Sequence, residues 1–135
     1  MKAEKKNKTN EMVPAKSELE VLKILWKHGP STVRFVHDTL NKEIKTVQYT
    51  STLKLMQIMT EKGLVVRDES QRAHVYHPAW TEQKTQRQLM NDLVERAFAG
   101  SPMKLVMQAL STKKATPQEL DEIRDLLQKM EGETR

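Results

Sequence analysis

The chain has 135 residues, 30% of them charged and 37% apolar, with a net charge of +5 and no cysteine. A chain of this length supports one ordinary domain, or a small domain with an appendage, and buries roughly two-thirds of its unfolded surface. The composition excludes disulfides, thiolate metal sites and a cysteine nucleophile, and no apolar stretch reaches the roughly 20 residues of a membrane span.

The charge is unevenly spread. Residues 1–80 carry 14 Lys/Arg against 9 Asp/Glu, whereas residues 81–135 carry 9 of each. The whole excess therefore lies in the first part, as expected where that part meets a polyanion and the rest meets protein. Residues 1–14 are lysine-rich and without apolar pattern, and are read as a disordered basic arm. No apolar run follows them, so neither a secretory signal nor membrane insertion is expected and the cytoplasm is the expected location.

A first helix is predicted from Ser17 to His28. Ser17 and Glu20 have capping-box spacing, Leu19, Leu22, Leu25 and Trp26 form an apolar stripe, and Gly29-Pro30 ends the helix. A second helix should start at Ser31 or Thr32 and continue to about Asn41, burying Val33, Val36 and Leu40 with Phe35 beside them. The stretch from Lys45 to Gly63 contains a third, closed by Gly63. Leu53, Met56 and Met59 face inward there, flanked by Leu55 and Ile58. Thr50, Lys54, Gln57 and Glu61 fall on the opposite face at i, i+4, i+7 and i+11. Residues 64–67 and 73–77 read as two short strands joined by a loop at 68–72. Three helices followed by a hairpin is the winged helix-turn-helix order, assigned to residues 15–80.

The rest is helical. A helix from Thr81 to about Ala99 carries Leu89, Leu93 and Ala97 on one stripe, with Met90, Val94 and Phe98 next to it. Ser101-Pro102 opens another, with Leu105, Val106, Ala109 and Leu110 as its apolar face. Thr116-Pro117-Gln118-Glu119 opens the last as a capping box, followed by Leu120, Ile123, Leu127 and Met130. Three short amphipathic helices cannot all bury their stripes within residues 81–132, and an identical chain is the simplest partner. The expected fold class is therefore mainly α with a small β-hairpin wing: a winged helix-turn-helix followed by a helical dimerisation segment. Leu89, Leu93, Phe98, Leu105, Val106, Leu120, Ile123 and Leu127 are its expected association residues.

Only the major groove of B-DNA presents a distinct donor and acceptor pattern for each base pair, and it admits one α-helix. Tyr49, Thr50, Ser51 and Thr52 at the start of the third helix can donate to phosphates or base edges, one of the four serving as its cap. Lys54 and Gln57 are the candidates for groove contacts, because a lysine donates and an amide pairs with adenine. Arg67, Arg72 and His74 lie on or near the wing, and Arg34 on the second helix can clamp a phosphate. The competing reading is a winged helix used as a protein-protein adaptor without an operator. Such a face should carry exposed aromatics or leucines.

No enzymatic constellation is visible: there is no phosphate-binding glycine loop, no Gly-x-Ser-x-Gly and no His-Glu-x-x-His. His74 and His77 on a strand point to opposite faces, with His28 and His37 elsewhere, so neither a metal nor another cofactor is expected. Glu119, Asp121, Glu122 and Asp125 read as a solvated face complementing the helix dipole.

The run from Ser17 to Trp26, with Gly29-Pro30-Ser31-Thr32-Val33-Arg34, resembles the opening helix-turn-helix of the penicillinase-repressor family. Tyr49-Thr50-Ser51-Thr52, Glu61-Lys62-Gly63-Leu64-Val65 and the Phe98-x-Gly100-Ser101 junction extend the resemblance over about residues 13–130 in unbroken order. It implies a homodimeric repressor on a pseudo-palindromic DNA operator, controlling its own operon and a stress or antibiotic-response gene. It also implies a membrane-bound zinc metallopeptidase as sensor, with release by cleavage at an Asn-Phe pair in the dimerisation segment. Gln108-Ala109 stands at that place here. The copper-responsive branch carries a C-terminal cysteine cluster, which this chain lacks.

Overall fold

A computed structural model describes residues 13–133. The chain divides into two compact units, with the boundary between Asp92 and Leu93. All but the last two residues of the expected basic arm lie outside the described residues.

The first unit opens with α1 (Lys16–His28), α2 (Val33–Glu43) and α3 (Tyr49–Lys62). The start of α1 corrects the expected cap. Ala15, not Ser17, is the N-cap residue, and the Glu18 carboxylate accepts the Ala15 backbone N–H at 2.8 Å. Ser17–Glu20 and Ala15–Glu18 have the same spacing, and both glutamates have a lysine far along the chain; Glu18 has the closer and more deeply buried contact, 2.9 Å to Lys62 against 4.0 Å from Glu20 to Lys45. The Glu18 carboxylate is only 2% exposed and accepts from Lys62 Nζ, tying the first turn of α1 to the last turn of α3. Thr32 caps α2 by accepting the Phe35 N–H at 3.2 Å, one of the two alternatives expected. Phe35 itself is exposed, with its ring edge-on to His28.

Val21, Leu22, Ile24 and Leu25 of α1 pack with Val36 and Leu40 of α2 and Met56 and Met59 of α3 in one core. Each such side chain, fully buried, contributes roughly 1.5–3 kcal/mol against chain entropy. Leu53 sits half-buried at the edge, as do Leu19 and Trp26. The Trp26 indole donates to the Trp80 carbonyl at 3.0 Å. Gly63 ends α3 in the left-handed region at φ 83°, where a side chain would be strained.

Strands β1 (Val65–Asp68) and β2 (Val75–Pro78) pair antiparallel, Arg67 opposite Tyr76 and Asp68 opposite Val75. Tyr76 is buried in the core and exchanges two backbone hydrogen bonds with Ser31, at 3.1 and 2.8 Å. The wing is thereby stitched to the entry of α2. Ala73 and His74, expected in the second strand, lie in the connecting loop.

Helix α4 (Glu82–Ala97) is followed by Ala99 and Gly100 with positive φ, and the Gly100 N–H reaches back to the Val94 carbonyl at 2.9 Å. In the second unit α5 (Pro102–Thr112) is capped by Ser101, which accepts the Lys104 N–H at 3.2 Å. Before α6 (Pro117–Glu133) the capping box forms as read: the Glu119 carboxylate accepts the Thr116 N–H at 2.9 Å, and the Thr116 hydroxyl accepts the Glu119 N–H at 3.1 Å. No residue of α5 or α6 is buried. Met103, Val106, Met107, Leu110, Leu126, Leu127 and Met130 are all exposed.

Candidate nucleic-acid interface

Helix α3 has two chemically distinct sides. Met56 and Met59 are fully buried, while Thr50, Lys54, Gln57 and Glu61 are exposed on the far side and Ser51 is exposed on its flank. The buried side sets which face of the helix points inward, and the exposed set is thereby directed outward. At the N-terminus, Gln48 is the N-cap residue and makes no side-chain cap hydrogen bond. None of the four residues from Tyr49 to Thr52 is therefore the cap, contrary to expectation. A helix start left this way presents amide donors and a positive dipole end suited to an anion.

Thr52 is corrected more sharply. It is 1% exposed, and its hydroxyl lies 3.1 Å from His37 Nδ1. A buried, partnered hydroxyl cannot reach a duplex, so Thr52 leaves the outward set. Tyr49 is half-buried, with its ring edge-on to His37 at a centroid distance of 5.4 Å. The Arg34 guanidinium lies over the Tyr49 ring, 4.2 Å from its centroid, and 4.0 Å from Asp38. A cation–π contact and a solvent-exposed ion pair thus hold Arg34 beside the start of α3.

The wing is less cationic than its sequence suggests. Pairing opposite Tyr76 turns Arg67 to the body-facing side of the hairpin, where its guanidinium bonds the Glu69 carboxylate at 3.0 Å. The Tyr76 hydroxyl first, and Glu69 second, raise the Arg67 pKa. Arg72 and His74 are exposed in the loop, His74 Nε2 lying 4.0 Å from Glu69. Asp68 accepts the Ser70 N–H at 2.9 Å, and this bond holds its carboxyl below the usual range. Glu69 thus takes up the Arg67 charge and lies near His74, while Arg72 remains exposed in the loop.

The penicillinase repressor family profile matches residues 14–129, nearly the whole described chain. The chain belongs to the penicillinase repressor family. This is a family of DNA-binding transcriptional repressors and not of enzymes, and the winged helix with its C-terminal helices fits it. No individual curated protein matches the sequence significantly. Among the described residues no helix is long and apolar enough to cross a membrane, and no three His, Cys, Asp or Glu side chains are grouped to hold a metal ion.

Sequence reasoning missed the polar side chains beneath this repressor's outward face. His37 is buried and contacts both Thr52 and Asn41, and Asn41 accepts the Val47 N–H at 2.6 Å across the turn between α2 and α3. Asn41 sits four residues after His37, a spacing that does place both on one helix face. Nothing local signals that Thr52 closes the set.

Proposed function

We propose that the chain is a homodimeric repressor that binds a pseudo-palindromic operator upstream of its own operon, reading it with α3. In this reading residues 15–80 form the DNA-binding domain, residues 81–132 the dimerisation domain and residues 1–14 a basic arm. Thr50, Ser51, Lys54 and Gln57 enter the major groove, and Arg34, Tyr49, Arg72 and His74 meet the backbone around it. Arg67 joins them only after exchanging Glu69 for a phosphate. Leu89, Leu93, Phe98, Leu105, Val106, Leu120, Ile123 and Leu127 supply the dimer contacts. A dimer sets its two reading helices about 34–36 Å apart, one duplex turn or a multiple of it. On the family resemblance, a stress or antibiotic-response gene is controlled with it in the cytoplasm, and release runs through a membrane metallopeptidase pathway. Gln108-Ala109 stands where related repressors are cut.

The observation that carries this reading is the exposed set on α3: hydroxyls, an ammonium and an amide, backed by fully buried methionines. An adaptor surface would place apolar side chains there. The test is titration of a labelled duplex from the region upstream of the gene, against random competitor DNA. Wild type should prefer the upstream duplex, and Lys54→Ala with Gln57→Ala should weaken that binding about 10–100-fold, the scale of one or two lost base contacts. Equal affinity for both DNAs, or an unaffected double variant, refutes it.

A further inference from the structure

Between α2 and α3 lies a line of polar groups that the outward face does not include. The Val47 N–H donates to Asn41 Oδ1 at 2.6 Å, so the other end of that side chain is its NH2. This NH2 lies 2.8 Å from His37 Nε2, and His37 Nδ1 lies 3.1 Å from the Thr52 hydroxyl. Donors and acceptors then follow in only one order. The Asn41 amide donates to Nε2, which must be unprotonated, so the single proton of a neutral ring sits on Nδ1 and is donated to Thr52. The ring also packs edge-on to Tyr49, the first residue of α3, over which Arg34 lies.

We propose that His37, held as the neutral Nδ1–H tautomer between Asn41 and Thr52, is a positioning residue that sets the N-terminal turn of the reading helix for DNA recognition. The proposal rests on the reading of α3 as the DNA-contacting helix. Each member joins a different part of the motif: Asn41 the turn, His37 the second helix and Thr52 the third. Buried apolar contacts alone allow a helix to slide or rotate slightly at small energetic expense, whereas a buried hydrogen bond must keep its length and direction. The groups that would read DNA, Thr50 and Ser51, flank Thr52 or lie two residues before it. A small rotation at Thr52 therefore moves them directly against the bases.

Two measurements on the full-length protein test this. The first is side-chain nitrogen NMR of the histidines in the free protein, His37 being assigned by loss of its signal in His37→Asn. Protonated Nδ1 with bare Nε2 is expected; an Nε2–H ring or a charged ring overturns the relay. The second compares Thr52→Val, which keeps shape and removes the acceptor, with Thr52→Ser, which keeps the hydroxyl. At temperatures where fluorescence shows both variants fully folded, Thr52→Val should bind the upstream duplex about tenfold more weakly, the scale of one buried hydrogen bond. Its affinity for random DNA should not change, and Thr52→Ser should restore upstream binding to within about twofold. A Thr52→Val protein that binds both DNAs like wild type overturns the positioning role, as does an equal loss on both DNAs. Failure of the wild type to prefer upstream DNA overturns the DNA reading itself and any reading role for His37. The ring tautomer is still measured in that case, so the two failures are distinguishable.

Discussion

Removing the ammonium of Lys62 should expose how much of the first unit depends on one contact between distant turns. Lys62→Met keeps the aliphatic stem and leaves the Glu18 carboxylate, 2% exposed, with only the Ala15 N–H as partner. Breaking a fully buried ion pair by removing one member costs about 3–5 kcal/mol. The Lys62 side chain is 36% exposed, so water reaches its end of the pair and the loss falls to about 1.5–2.5 kcal/mol. For a domain of this size that lowers the midpoint of thermal unfolding by roughly 6–20 °C. Glu18→Gln keeps an acceptor for Ala15 and leaves Lys62 facing water, so it should cost less, about 0.5–1.5 kcal/mol. The double variant buries no charge, and its loss should fall short of the sum by about 1 kcal/mol or more. The chain has two tryptophans, Trp26 and Trp80, both in the first unit, so their fluorescence in a urea titration reports that unit alone. Protein concentration is held fixed, because pairing of copies would shift the midpoint. A coupling below about 0.5 kcal/mol, within the additivity expected of independent sites, refutes the ion pair as a structural tie.

Two other outcomes are expected in the second unit. The Thr116 backbone N–H, followed by the Thr116 hydroxyl, holds the Glu119 carboxyl below the usual carboxylate range. A depressed folded value means that the cap supports α6 fully above the unfolded value of about 4.3 and loses that support as pH falls through the folded value. The Thr116 amide resonance should follow this titration, and Glu119→Gln should abolish the pH dependence; an unchanged titration in that variant counts against the cap. Separately, Val106→Glu with Leu127→Glu places carboxylates on exposed apolar faces of α5 and α6. If the chain pairs as proposed, sedimentation should report a dimer for wild type and a monomer for the variant, and a variant dimer of unchanged strength would assign pairing to another surface.

Local chemistry was legible in the sequence, and contacts across the fold were not. Ser101 and the Thr116–Glu119 pair cap their helices as read, because both donor and acceptor lie within one turn. Ser17 and Glu20 have the same spacing and do not form the cap; the buried contact between Glu18 and Lys62, 44 residues away, leaves no local signal. On α3 the period of 3.6 correctly separated Met56 and Met59 from Lys54 and Gln57. Thr52 was misplaced because a threonine looks polar from sequence alone, and only His37 on the neighbouring helix makes burial of its hydroxyl inexpensive. Arg67 was read by charge when strand alternation already turned it toward the side of Tyr76.

The two units also differ in what keeps them folded. The first has a shared interior drawn from three helices and the wing, whereas neither α5 nor α6 buries a single residue of its own. Isolated helices shorter than about 12–15 residues are marginal in water because nucleation is costly; α5 has 11 residues, and α6, with 17, exceeds that length by little more than half a turn. In a lone chain the backbone amides of residues 102–133 should exchange with solvent far sooner than those around Val21 or Met56. On the proposed function, gripping DNA and joining a second copy then obey separate thresholds, and residues 102–133 should unfold while the reading head stays intact.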